Sequence, residues 1–198
     1  MCEMIMKLIR LAPLFVLSLA LLLSACGPSN TVRLLPLPQP GVSVLPAPNA
    51  PRISVVPFED KRMDANLGTR RDGSAFVATE DVAQWVSRGL ADELTRAGLQ
   101  VSYALTPGQA RSGNPDYIIT GKLEEVWIKE VSSTELTTGM RATYVLASRS
   151  GKVSSETLTS GQSRNGLPGG SVADDLMRQT MLDLVQPMAA KIKQTVSH

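Results

Sequence analysis

Hydrophobic positions fall along this chain in three rhythms. Leu11 to Ala25 is a run of fifteen residues without a charge. From Pro28 to Pro51, apolar residues are scattered among seven prolines in twenty-four positions, with neither helical nor alternating spacing. From Arg52 onward the pattern switches between the two-residue period of strands and the three- and four-residue steps of helices.

In the third region, "RISVVPF" (Arg52 to Phe58) is a β-branched run that predicts a buried strand. A polar, glycine-containing stretch follows, Glu59 to Phe76. Val82, Trp85, Val86, Leu90, Leu94 and Ala97 then mark one stripe of a helix. Thr79 is the expected N-cap, with Glu80 and Asp81 in the first turn and Gly98 as the C′ residue. "LQVSYAL" predicts a second strand, and Thr106 to Pro115 a turn-rich stretch. In "DYIITGKLEEVWIKEV", Tyr117, Ile119 and Leu123 share one phase and Val126 and Ile128 the other. That slip predicts a bulge near Glu124-Glu125. "ELTTGMRATYVLAS" and "KVSSETLTSGQS" complete three consecutive antiparallel strands, with a hairpin loop at Ser150-Gly151. Ser171 is expected to cap a last helix carrying Val172, Leu176, Met177, Met181, Leu184, Val185, Met188 and Ile192, bent at Pro187. The order β-α-β-β-β-β-α predicts an α+β sandwich: a single mixed or antiparallel sheet with two helices on one face.

The first region is too short for a bilayer-spanning helix, which needs about 20 apolar residues. Preceded by Lys7 and Arg10, it has the charge pattern and length of a secretory leader. Its end, Leu23-Ser24-Ala25-Cys26, resembles the bacterial lipobox. That resemblance implies a leader over residues 1–25, cleavage before Cys26, and diacylglycerol and N-acyl lipid on Cys26. Two or more acyl chains hold a protein stably at a membrane. Gly27, rather than Asp, follows the cysteine, which resembles an address to the periplasmic face of the outer membrane.

The expected organisation is a lipidated N-terminus and proline-rich linker over 26–51 and a periplasmic domain over 52–198. Fully extended, the linker would reach roughly 70 Å from the membrane. Part of Val32 to Leu45 is nevertheless apolar enough to be expected against the domain or a partner.

Composition narrows the chemistry. The chain carries +2, and loss of Lys7, Arg10 and Glu3 with the leader leaves +1, with no basic block to support nucleic-acid binding. Cys2 leaves with the leader and Cys26 is consumed by lipid, so no disulfide is expected. The single histidine is His198, so zinc ligation, Cys-His catalysis and a Ser-His-Asp triad have no residues to use. No cofactor is expected. Glu124-Glu125, as strand neighbours, are expected to point to opposite faces. Asp174-Asp175 are expected to complement the dipole of the last helix. The methionines at 177, 181 and 188 are expected in the core.

One loop remains. "FEDKRMDANLGTRR" places Asp60, Arg62, Asp64, Arg70 and Arg71 around Leu67-Gly68, directly after the first strand. Pairing of Asp60 with Arg62 or with Arg70 would pin the loop, and Gly68 would supply a positive φ. The alternative is a surface for a partner or an anionic ligand. The strand, Asp60, Arg62, Leu67, Gly68, Arg70 and the capped helix together resemble the YajG-like outer-membrane lipoproteins. "PRISVVPF" is similar, more loosely, to the first strand of auxiliary lipoproteins of ABC-type lipid transporters. Neither resemblance implies a catalytic mechanism. The expected function is a non-enzymatic envelope lipoprotein that binds a protein partner in a complex or transport system. The alternative is a periplasmic lipid or glycan carrier, and a carboxylate-only enzyme is the least supported.

Overall fold

The computed structural model describes residues 30–37, 45–166 and 170–197. The expected leader, its lipobox-like end and Cys26 lie outside the described residues. Among the described residues no helix is long and apolar enough to cross a membrane.

The predicted order is present: β2 (Arg52–Val55), α1 (Val82–Arg96), β6 (Gln100–Tyr103), β7 (Tyr117–Ser132), β8 (Glu135–Ser148), β9 (Gly151–Asn165) and α3 (Gly170–Val196). Four short strands are added: β1 (Thr31–Val32), β3 (Glu59–Asp60), β4 (Gly68–Thr69) and β5 (Ala75–Ala78). The turn-rich stretch contains a short helix, α2 (Pro107–Ser112), capped by Thr106 with Pro107 in its first turn.

All strands join one mixed sheet with β7 as its spine. One edge of β7 carries β8 in antiparallel register, and β9 lies beyond β8. The other edge carries β2, β3 and β4 in succession, all parallel to β7, at Tyr117–Ile119, Lys122–Leu123 and Ile128–Lys129. Residues Arg52 to Thr69 therefore follow β7 along its length, with excursions between short pairings. Outside this layer, β6 pairs with β2, β5 with β4, and β1 with β5. The register slips between Leu123 and Glu125, the bulge that the phase change predicts.

Inward side chains of β7 and β8, among them Ile119, Leu123, Met140, Tyr144 and Leu146, are fully buried against Val86, Leu90, Met177, Met181, Leu184 and Met188. The two long helices thus share one face of the sheet, and the methionines are core residues. Gly121 faces inward between Ile119 and Leu123, and the Phe58 ring takes the room a side chain would need, 2.6 Å from a Cβ placed there.

Several local expectations shift for identifiable reasons. The N-cap of α1 is Asp81, whose carboxylate accepts from the Gln84 N–H at 2.7 Å. Thr79 is unavailable because its N–H and hydroxyl both face the Val32 carbonyl, at 3.1 and 3.4 Å. Gly98 does terminate the helix, at φ +87°. Helix α3 begins at Gly170, so Ser171 lies inside it, and the helix continues through Pro187.

Asp174 does not serve the helix dipole. With its side chain 2% exposed, it accepts the backbone N–H and the Nε–H of Arg33, both at 2.8 Å. This clamp belongs to the packing expected within Val32 to Leu45: Val32, Leu34 and Leu37 are buried, and the Leu35 carbonyl accepts from the Trp85 indole at 2.9 Å. The long reach expected of the linker is corrected accordingly. Thr31 to Leu37 already lies on the folded domain, and the chain returns along β6, where Gln100 donates to the Ala47 and Pro48 carbonyls.

Candidate functional site

The loop after β2 is built from short pairings against β7. Lys61 N–H donates to the Leu123 carbonyl at 2.8 Å, and Ile128 N–H donates to the Leu67 carbonyl at 2.6 Å. Between these points the chain bows out, and Asp60 and Arg62 form its clasp. Arg62 Nε and Nη2 donate to the two Asp60 oxygens at 3.0 and 2.7 Å, and the Arg62 backbone N–H adds a bond of 3.1 Å. The Arg62 side-chain hydrogen bond holds the Asp60 carboxyl below its ordinary value. A two-pronged contact of this kind fixes orientation as well as distance.

The five residues of the sequence motif do not form one cluster. Leu67 is fully buried. Gly68 sits at φ +142°, where a Cβ would stand 2.1 Å from the Ile128 carbonyl oxygen. Arg70 turns to the core side: its guanidinium lies 4.6 Å from the centre of the Phe76 ring, with Nη1 4.0 Å from Glu130. The expected pairing is therefore Asp60 with Arg62, and Arg70 has a separate structural task.

Beside the clasp is a groove of about 400 Å³, lined by Lys61, Arg62, Met63, Asp64, Glu124, Glu125, Val126, Trp127 and Arg141. Sequence reasoning missed most of it. The bulge overturns the expectation that Glu124 and Glu125 diverge. Both carboxylates reach Arg141, at 3.1 Å to Nε and 2.7 Å to Nη2. The phase slip was the available signal, since an extra residue in a strand re-aims its side chain. Trp127 lies opposite Gly139 on the face away from the two long helices, its ring atoms 2.5 Å from where a Cβ would stand. An aromatic side chain thus covers a glycine across the strand pair, and it stays 41% exposed.

The groove floor holds an unusual group. The Arg62 side chain is only 8% exposed, yet its Nη1 is buried without a hydrogen-bond partner. Met63 next to it is fully exposed. Two further carboxylates of β7 and β8 have other partners: Glu130 accepts from the Arg71 N–H at 3.1 Å, and Glu135 from the Ser163 hydroxyl at 3.2 Å. Among the described residues no group of three or more His, Cys, Asp or Glu is placed to hold a metal ion.

Comparison with known proteins places this geometry in context. No family model matches the chain, and no curated protein matches it. Among solved structures it is similar to protein XCC0632 of Xanthomonas campestris, assigned to the DUF330 family. The identity is 12% and the TM-score 0.57, covering 84% of this chain and 96% of that one. It is also similar to the PelC dodecamer of Paraburkholderia phytofirmans, at 22% identity and TM-score 0.38, covering 72% and 95%. A minor lipoprotein of Acinetobacter baumannii gives 17% identity and TM-score 0.41, covering 72% and 92%. The Xanthomonas likeness establishes the α+β fold. The YajG-like resemblance in particular is not among what these likenesses show. What they show is the α+β fold.

Proposed function

We propose that this chain is a non-enzymatic lipoprotein of the bacterial envelope, anchored through Cys26 at the periplasmic face of the outer membrane, that binds a protein partner through the groove beside Arg62. The observation that carries this reading is the buried Arg62 guanidinium, with Nη1 unpartnered, beside exposed Trp127 and Met63. Tryptophan, methionine and arginine are the residue types enriched at protein interfaces, and buried arginine and tryptophan dominate their energetics. Supporting it is β9, which among the described residues pairs with β8 alone, leaving an edge to which a partner strand can add. Glu124 and Glu125 are tied to Arg141 and Asp64 accepts from the Asn66 N–H at 2.9 Å, which favours binding over acid–base chemistry.

A lipid or glycan carrier needs a pocket of roughly 300–1,000 Å³. A groove of about 480 Å³ lies between Leu34, Leu37, Trp85 and Tyr103, beside the core residue Met181. That groove also carries Glu80, Asp81 and Asp92, which suits a polar surface better than an acyl chain.

The test is crosslinking in native envelopes followed by affinity purification, comparing wild type with Cys26→Ala, Asp60→Ala/Arg62→Ala and Trp127→Ala. Trp127 points away from the core, so its variant keeps the fold. One stoichiometric protein partner, lost in the groove variants, is the expected result. Recovery of bound lipid or glycan without a protein would overturn the reading in favour of a carrier.

A further inference from the structure

The inference here rests on lipidation of Cys26. Only four residues separate Cys26 from Thr31, where β1 begins. Five residue steps span at most about 18 Å when fully stretched. Crossing the headgroup layer uses about 5–8 Å of that. About 10–13 Å of reach remains beyond the headgroups, whereas a domain of this size has a radius of gyration of about 15 Å. The prolines after Leu37 add nothing, because the chain is fixed before them. The Asn30 carbonyl accepts from Val77 N–H at 2.9 Å, Thr31 pairs with Val77, and Arg33 is clamped by Asp174.

We propose that the end of the sheet around Asn30 rests directly on the lipid surface that holds Cys26, with Val77 and Val131 in the interface and Arg71 and Lys129 meeting lipid phosphates. Val77 and Val131 are each 47% exposed. Lys129 and Arg71 are exposed beside them. The Arg71 N–H donates to Glu130 at 3.1 Å, which brings the β4–β5 hairpin tip against the end of β7. Asp72, on the same tip, is turned back onto Ser74 at 2.6 and 2.9 Å. Each basic residue near an anionic bilayer strengthens the contact about fivefold. The short tether keeps the contact intramolecular, so weak contacts suffice.

The experiment uses the chain from Cys26 to His198, whose single thiol is coupled to a maleimide lipid. The vesicles are phosphatidylethanolamine with a minority of phosphatidylglycerol. Amide exchange by mass spectrometry is compared with the uncoupled chain. Segments 71–77 and 129–134 are expected to slow about fivefold or more on coupling. Arg71→Glu/Lys129→Glu, at exposed positions, should remove most of that slowing. A flexible insert of about twenty residues after Gly27, which leaves the domain untouched, should remove it too. Equal exchange in coupled and uncoupled chains, or slowing confined to β9 or α3, would overturn the proposal. Acyl chains on Cys26 are read separately, by mass spectrometry of the chain extracted from cells. Their absence would sink the anchor reading, while the vesicle result still decides the docking face.

Discussion

Glycine at position 68 is fixed by two independent constraints. Its φ of +142° is strained for any other residue, and a Cβ would stand 2.1 Å from the Ile128 carbonyl oxygen. Gly68→Ala is expected to cost about 3 kcal/mol or more, because backbone rather than a flexible side chain stands in the way. Urea unfolding measures this, and a loss under about 1 kcal/mol would mean that β4 and β7 separate easily. Asp60 gives a pH-dependent prediction. Its native carboxyl is held below the ordinary 3.8, first by the Arg62 side-chain hydrogen bond. Ionised Asp60 therefore stabilises the fold above its unfolded value, and that contribution fades as pH falls through the native value. The stability difference between wild type and Asp60→Asn should be full at neutral pH and shrink on acidification below about 4. A difference unchanged by pH would show that the Arg62 contact does not act through charge.

Elements here are fixed as much by their neighbours as by their own patterns. The first helix illustrates this: its apolar stripe locates it, but β1 occupies the Thr79 hydroxyl, and the cap moves to Asp81. Segment Thr31 to Leu37 has no strand pattern of its own, and its position depends on Arg33 and Asp174. Asp174→Ala removes two hydrogen bonds to Arg33, one of them charge-paired, and should cost about 2 kcal/mol. The distinguishing readout is amide exchange at Val77 and Thr79, whose N–H groups donate to Asn30 and Val32. Both should exchange faster in the variant while the core of β7 and β8 stays protected. Global loosening instead would mean that Asp174 supports the whole helix layer.

At the scale of the whole molecule, the proposed lipid attachment and the stability of the domain are separable. Cys26 stands outside the described residues, and the core runs from Val32 to Val196. Cys26→Ala, combined with an ordinary Ala-x-Ala cleavage site before it so that the leader is still removed, is therefore expected to move the chain from the membrane fraction to the soluble periplasmic fraction with its melting temperature unchanged. Fractionation and a thermal melt of the same preparation check this together. A chain that stays with the membrane would point to attachment through the sheet end or a partner rather than through lipid. On the face opposite the two long helices, β7 exposes Trp127 beside the Arg62 groove and Val131 at the end of the sheet.

Local repetition made most of the architecture legible in the sequence. Alternation along Tyr117 to Asn165 and the stripes of both long helices depend on periods that a chain carries within itself, and the slip at Glu124-Glu125 marked the bulge in advance. The lipobox-like end of the leader is likewise a contiguous signal. What needed tertiary structure was every relation between distant segments. Asp60 meets Arg62 while Arg70 turns to Phe76, because β3 and β4 dock at different heights on β7. Glu124 and Glu125 converge because Arg141 stands opposite them across the bulge. Trp127 lies over a glycine twelve residues away because the β7–β8 register pairs them. The segment around Thr31 to Leu37 lies on the domain because Arg33 finds Asp174, 141 positions later. Sequence period fixes which way a side chain faces, whereas only the folded sheet fixes what it faces.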